Sequence, residues 1–322
     1  MRRGSAALSV SMGLVLVLAS CGGGTSATLP RITEPTAVPL AQDCASSTTD
    51  QTVCMPASSL NLSALPLGTG KASTAPKQGY IWACRVPSGG PPVSPVPWVN
   101  TTAGTWSAKT KVAVEGSVKW SPKFTATQQG SELVLSGNGL PARSGVFPVS
   151  ESDPAHAYNP DPTPITAHSI KVTLAANPTA AASPTCVGGV VGIAVNGIPL
   201  LDGFDADGND AGAVEVQDTC HGHPNDHDGY HYHSLSPCLL SKKSLTHTTQ
   251  VGWALDGFGI YVEYNSSGQL LTNADLDACH GRTSKVPWHG KTVSLYHYDM
   301  TFEFPYSVGC FSGTPSTAAS GL

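Results

Sequence analysis

Residues 220–233 read CHGHPNDHDGYHYH and hold five of the eleven histidines in this chain of 322 residues. Side chains alternate between two faces along a β-strand, so His231 and His233 are expected on one face and the flanking tyrosines on the other. The same alternation would put His221 and His223 together. Because the linker is rich in turn-forming residues, it predicts a hairpin that brings both pairs to one face.

This hairpin predicts a metal site, since histidine is the commonest metal ligand in proteins. Directly opposed residues have Cβ atoms about 4.5–5.5 Å apart, close enough for four imidazoles to surround one ion. Imidazole suits Zn²⁺ or Cu²⁺, and zinc or copper is therefore the expected cofactor. Asp218 or Glu215 is expected as a further ligand or as an acceptor for an imidazole N–H. The competing hypothesis is that the histidines are structural and bond backbone carbonyls.

A second candidate cation site, for calcium, is less favoured. Residues 205–210 read DADGND, but Val216 stands at the position where an EF-hand has glutamate. A solvated turn is the preferred interpretation. The isolated histidines are interpreted as structural: His156, His168, His247 and His289.

The C-terminal half predicts an internal duplication. Residues 192–198 (GIAVNGI) resemble residues 252–258 (GWALDGF), and a second CHG segment at 279–281 follows the one at 220–222. The order of the matching segments is preserved, so we expect two copies, at about 187–240 and 250–311, packed face to face. The second copy keeps two histidines and replaces two others, which gives as its candidate site residues His280, Arg282, His297 and Asp299.

Two interpretations of the second copy stay open. In one it is a structural remnant in which Arg282 pairs with Asp299. In the other the copies form one composite cleft, and Arg282 holds an anionic group beside the metal of the first copy.

The N-terminus predicts export and lipidation. Two arginines precede an apolar run that is too short to span a bilayer as a mature helix. Residues 18–21 (LASC) have the form of a bacterial lipobox, with Cys21 as the acylated residue. Residues 1–20 are thus expected to be a lipoprotein signal peptide and residues 21–43 a flexible tether. The lipid would hold the chain at a bacterial membrane, facing the periplasm or the cell surface.

Eight cysteines remain after Cys21, and an even number in an exported chain predicts four disulfides. Connectivity does not follow from the sequence. The alternative, that some thiols bind metal, is less favoured in an oxidising compartment. The preferred pairing is Cys44–Cys54, Cys84–Cys186, Cys220–Cys238 and Cys279–Cys310.

The composition favours a mainly β protein, with α+β and short helices as the variant left open. Charged residues are only 12 % of the chain, whereas glycine and proline number 34 and 26. The formal net charge is −5, and loss of the two N-terminal arginines makes it more negative. This balance argues against nucleic acid as a partner. The sequence does not identify a small-molecule or protein partner.

The YHYH sequence at 230–233 is the signature that names the YHYH-domain proteins, and this chain resembles a member of that family. The resemblance extends to VEGSVKW at 114–120, DGFGIY at 256–261 and FPYSVGCF at 304–311. It implies export and a shared histidine-rich centre, but no activity. It covers about residues 78–312, between a loop-rich disulfide segment at 44–75 and an expected disordered tail at 313–322.

Three functions are compatible with these features, and the sequence does not decide whether the chain is an enzyme. The first is an exported, membrane-anchored lipoprotein with a transition-metal-binding β domain. The second is a metal-dependent hydrolase acting on an anionic envelope or extracellular substrate, in which Asp218 or Asp256 acts as base and Arg282 holds the substrate. The third is an adhesion or scaffold module with structural histidines.

Overall fold

A computed structural model describes residues 1, 50–85, 95–161, 163–225 and 229–321 of the chain. In these residues the protein is mainly β, as predicted. The strands of the first half are β1 (Leu65–Pro66), β2 (Ala72–Ser73), β3 (Ile81–Trp82), β4 (Val99–Asn100), β5 (Thr105–Trp106), β6 (Ala113–Val114), β7 (Val118–Lys119), β8 (Phe124–Gln129), β9 (Glu132–Gly137), β10 (Arg143–Ser144) and β11 (Ile170–Ala175).

The second half supplies the two longest strands and the only α-helical turn in the described residues, α1 (Ala211–Val214). Single 3₁₀ turns lie at Pro154–Ala157, Pro237–Leu239 and Asn273–Asp275. The strands are β12 (Val190–Ala194), β13 (Pro199–Leu201), β14 (Gln217–Asp218), β15 (Gly222–Pro224), β16 (Tyr230–Tyr232), β17 (Thr249–Ala254), β18 (Gly259–Val262), β19 (Gly281–Trp288), β20 (Lys291–Asp299) and β21 (Ala319–Ser320).

The largest sheet has eight strands in the order β15-β16-β13-β12-β17-β18-β20-β19. Each half has an inner antiparallel hairpin, a parallel pairing and an outer antiparallel hairpin. β12 and β17 pair antiparallel at the centre. The expected face-to-face packing is therefore wrong, because hydrogen bonds between these two strands place both halves side by side in one layer. The duplication itself stays a prediction.

Sequence chemistry at the turns explains the two inner hairpins. β12 and β13 are joined through Asn196 and Gly197, and β17 and β18 through Asp256 and Gly257. The glycines have φ of 86° and 89°, the left-handed region that glycine adopts without strain. Asn-Gly and Asp-Gly pairs favour such tight connections.

The two faces of the large sheet carry different cores. On one face, Ile193, Trp253 and Tyr261 pack against β9 and β11 of a second sheet, ordered β21-β11-β9-β8. On the other face, Tyr232 and Tyr298 are fully buried in the larger core. The histidines that alternate with these tyrosines therefore lie on the face that carries the second sheet. Four small sheets, β1-β5-β4, β10-β7, β14-β6 and β2-β3, complete the described structure.

Disulfides confirm three of the predicted pairings: Cys84–Cys186, Cys220–Cys238 and Cys279–Cys310. Cys54 is also disulfide-bonded. Its predicted partner Cys44 lies outside the described residues, as do Cys21, the tether and the signal peptide apart from residue 1. No helix in the described part of the chain is long and apolar enough to cross a membrane.

The C-terminal tail departs from the expectation of disorder. β21 pairs antiparallel with β11, with Ala319 opposite Val172. An open strand edge presents unpaired N–H and C=O groups, and the tail covers part of this edge of β11.

Candidate metal centre

Three of the four predicted metal-binding histidines meet at one end of the large sheet. His223 on β15 lies directly opposite His231 on β16, and His233 follows that strand. All three are buried, with 3–5 % of their surface exposed. One ring nitrogen of each lies within 4.8 Å of the others. The hairpin therefore forms as predicted and gathers three imidazoles.

Backbone carbonyls fix the orientation of two of these rings. Nδ1 of His231 lies 3.2 Å from the Gly229 carbonyl oxygen, and Nδ1 of His233 lies 2.5 Å from that of Asp202. Because a carbonyl only accepts, each Nδ1 carries the proton and donates it, and a neutral ring then has its lone pair on Nε2. The two Nε2 atoms are 3.0 Å apart. Two lone pairs thus face each other, an arrangement that a shared cation stabilises.

Glu215 completes the group. Its Oε2 lies 3.1 Å from Nε2 of His223 and 3.3 Å from Nε2 of His233. Glu215 Oε2 and His223 Nε2 are buried and have no hydrogen-bond partner. In a tetrahedral site with bonds of roughly 2.0–2.1 Å, ligand atoms lie about 3.4 Å apart, close to these separations. Glu215 is the C-cap residue of α1, whose N-terminus is capped by Asp210, and the end of this helix places its side chain here.

Burial keeps the imidazoles in the form that binds metal. It lowers the pKa of His223 and that of His233 to about 3, and the pKa of His231 well below its ordinary value. Burial also raises the pKa of Glu215, against the opposing effect of His233. Metal ligation requires neutral imidazole, so no proton has to leave the rings at neutral pH.

His221 does not join this group, which corrects the expectation that it shares a face with His223. Its φ is 57°, a left-handed conformation that interrupts the strand alternation before β15 begins. Its Nδ1 lies 2.8 Å from the Leu235 carbonyl oxygen and its Nε2 3.2 Å from that of Gln51. His221 therefore fits the competing hypothesis, in which a histidine is structural and bonds backbone carbonyls.

Asp218 also lies away from the group, on the face with Tyr230. Its carboxylate accepts from the backbone N–H groups of Gly145, Cys220 and Gly222 and from the Tyr230 hydroxyl at 2.9 and 3.0 Å. The side chain is fully buried and its acceptor sites are used. Asp218 therefore holds the turn before the hairpin rather than facing the imidazoles.

The second-copy candidates form a separate group that includes Glu263. Nε2 of His297 lies 2.9 Å from Glu263 Oε2 and 3.5 Å from Asp299 Oδ2. Arg282 lies opposite His297 in the register of β19 and β20, but no ion pair joins it to Asp299 in the described structure. His280, with φ of 70°, contacts the Thr301 hydroxyl instead.

The strand order corrects the composite-cleft interpretation. Four strands, β13, β12, β17 and β18, separate β16 from β20. At about 4.8 Å per strand the two groups lie on the order of 24 Å apart. Arg282 therefore cannot hold a ligand at the three-histidine group, and Asp256, beside Tyr298 in the second half, cannot act as its base.

The three-histidine group lines a cleft of about 600 Å³, a volume that fits a small molecule. Arg85, Asp161 and Asn225 also line it, and Asp161 Oδ2 lies 4.0 Å from Nδ1 of His223. Asp161 has φ of 26°, unusual for a non-glycine residue. The sequence alone did not single out Arg85. It follows Cys84, and the Cys84–Cys186 disulfide ties it to the second half.

The acidic segment at 205–210 behaves as the turn that was preferred over a calcium loop. Asp205 accepts from the backbone N–H groups of Asp207 and Asn209. In the other half, the side-chain oxygen of Asn265 accepts from the backbone N–H groups of Ser267 and Gln269. A neutral amide therefore stabilises the equivalent turn.

Comparisons with known proteins agree with the signature. Residues 171–271 match the family model described as YHYH protein, a range that includes Glu215 and all three clustered histidines. No curated protein and no solved structure matches the chain. Residues 171–271 are therefore similar to the YHYH family.

Proposed function

We propose that the protein binds a transition metal ion, Zn²⁺ or Cu²⁺, through His223, His231 and His233, with Glu215 as fourth ligand. The observation that carries this function is the 3.0 Å approach of two Nε2 atoms whose rings are held by carbonyls at Nδ1. A cation between them replaces lone-pair repulsion with coordination. Three imidazoles and one carboxylate suit a borderline ion such as Zn²⁺ or Cu²⁺.

Elemental analysis of the exported protein, purified without a histidine tag, tests the proposal. We expect about one equivalent of zinc or copper per chain and its loss in His231→Ala/His233→Ala. His156→Ala/His247→Ala is the matched control, because it removes two histidines outside both groups. Absence of metal from the wild type after reconstitution, or full metal content in the site variant, would contradict the proposal.

Metal-dependent hydrolysis is the second candidate function, and the cleft favours it. A bound ion would supply an activated water. Asp161 Oδ2 lies 4.0 Å from Nδ1 of His223, on the far side of the ring from Nε2, where it would orient this ligand. Arg85 offers a cation for an anionic substrate. This function requires an open coordination position, so Glu215 would then not be a ligand. Arg85→Gln should abolish turnover of an anionic ester while metal content stays unchanged.

A scaffold or adhesion module with structural histidines is the competing non-enzymatic function. It predicts an unchanged melting temperature after removal of metal by a chelator. The proposed metal site predicts a lower melting temperature, because an ion that binds only the folded state stabilises it.

We also propose that the chain is exported and anchored to a bacterial membrane by lipid on Cys21. The three described disulfides support export, since such bonds persist in oxidising compartments. Labelling with a radioactive fatty acid tests the anchor. Label should be incorporated by the wild type and not by Cys21→Ser, and label retained in that variant would exclude acylation of Cys21.

A further inference from the structure

A second group of ligand-type side chains lies at the other end of the large sheet. Glu263 directly follows β18, and His297 and Asp299 share one face of the neighbouring strand β20. One ligand atom of each lies within 4.8 Å of the others. We propose that these three residues form a second, separate cation site for an oxygen-preferring divalent ion such as Mn²⁺.

The contacts of His297 define the centre of this site. Its Nδ1 lies 2.9 Å from the Leu295 carbonyl oxygen and donates to it. Nε2 faces Glu263 Oε2 at 2.9 Å and Asp299 Oδ2 at 3.5 Å. Two hydroxyl contacts from Ser284, at 2.9 and 3.0 Å, hold the Glu263 carboxylate in place. The ring nitrogen and both carboxylates therefore converge on one point.

Asp299 supplies an independent indication of a ligand. Its side chain is fully buried, and neither carboxylate oxygen has a hydrogen-bond partner. Burial of a charged group is unfavourable unless it is paired and hydrogen-bonded, or coordinates an ion. A divalent cation at this point would satisfy the carboxylate oxygens that the protein leaves without donors.

The ligand set distinguishes this site from the three-histidine group. It offers one imidazole and two carboxylates, whereas the first group offers three imidazoles and one carboxylate. Carboxylate oxygens favour Mn²⁺, Mg²⁺ and Ca²⁺, and imidazole favours Zn²⁺ and Cu²⁺. The side chain of Glu263 is 12 % exposed, which gives the ion a route from solvent.

Two cations of the protein itself compete with a metal here. A proton on Nε2 of His297 would pair with both carboxylates, and the half-buried guanidinium of Arg282 lies on the adjacent strand. Removing the arginine charge should therefore strengthen metal binding. Interactions with a partly exposed charge are modest, so we expect a gain of about fivefold in Arg282→Gln.

Mn²⁺ titration of His231→Ala/His233→Ala, followed by electron paramagnetic resonance of free Mn²⁺, tests the site with the first group disabled. Should that variant fail to fold, the wild type preloaded with Zn²⁺ serves instead. We expect about one equivalent of bound Mn²⁺. Asp299→Asn and Glu263→Gln should each weaken binding by at least about tenfold, because each removes a ligand. Glu115→Gln, which removes an exposed carboxylate in the first half of the chain, is the control and should bind normally.

Absence of Mn²⁺ binding in both preparations would overturn the proposal, and so would binding that survives both ligand substitutions. Binding of Zn²⁺ but not Mn²⁺ would overturn the assigned ion class. None of these outcomes bears on the three-histidine group, whose metal content is measured separately.

Discussion

Glu215→Gln is expected to stabilise the metal-free protein and to weaken its response to metal. Glu215 Oε2 lies 3.1 and 3.3 Å from two imidazole nitrogens without a hydrogen bond. The glutamine amide keeps the shape of the side chain and adds N–H donors, one of which reaches the Nε2 lone pair of His233. The substitution therefore replaces an unfavourable contact with hydrogen bonds.

The size of the expected stabilisation follows from the number of new hydrogen bonds. One or two new hydrogen bonds contribute about 1–2 kcal/mol to the free energy of unfolding. For a domain of roughly 150–250 residues this corresponds to a rise of about 2–8 °C in melting temperature. Added metal offsets this gain, because loss of a ligand weakens binding by at least about tenfold and removes about 1.4 kcal/mol of metal-induced stabilisation.

Differential scanning calorimetry with and without one equivalent of Zn²⁺ measures both effects. Glu115→Gln is the matched control, since Glu115 is exposed and distant in sequence from both groups. The control should melt like the wild type in both conditions. A metal-free Glu215→Gln that melts below the wild type, together with an unchanged shift on adding Zn²⁺, would refute the reasoning.

Three further predictions concern the framework of the site. Tyr230→Phe leaves the buried Asp218 carboxylate without its hydroxyl donor. It should lower the free energy of unfolding, measured by urea titration, by about 1–3 kcal/mol. Metal affinity should not change, because Tyr230 lies on the face of the sheet opposite the histidines. Cys220→Ser/Cys238→Ser opens a bridge between residues 18 apart and should lower that free energy by about 3 kcal/mol, measured the same way. Burial lowers the pKa of Lys111 to about 8. Between pH 8 and 10.5 the unfolded chain therefore binds more protons at this residue than the folded chain does. The contribution of Lys111 to the free energy of unfolding rises with pH over that range. The free energy of unfolding of the wild type, relative to that of Lys111→Met, should therefore rise by up to about 3 kcal/mol over that range. A relative stability that does not change with pH would contradict the lowered pKa of Lys111.

The strand alternation at 230–233 was predictable because it depends only on local geometry. The tyrosines enter the core and the histidines face the other way, as a period of two requires. The formation of disulfides was predictable from the even number of cysteines in an exported chain, whereas the three described pairings match a preference that the sequence alone did not determine. The Asn-Gly and Asp-Gly turns likewise depend on local chemistry.

The predictions that were wrong or incomplete depend on features that the local sequence does not determine. His221 left the predicted face because one residue adopts a positive φ, which the residue type alone does not reveal. The side-by-side arrangement of the halves depends on which strand edges pair, and strand patterning is the same for both arrangements. Glu263 and Arg85 were missed because neither lies near a histidine in sequence. Their positions next to β18 and to Cys84 become informative only once the sheet order is known.

Anomalous diffraction at the zinc absorption edge, on crystals of the Zn²⁺-loaded protein, tests the metal site most directly. The proposal predicts one strong peak roughly 2.0–2.1 Å from Nε2 of His223, His231 and His233, with a Glu215 oxygen as fourth neighbour. A zinc peak elsewhere would contradict the proposal. So would the absence of a peak in crystals where His231 and His233 keep their bonds to the Gly229 and Asp202 carbonyls.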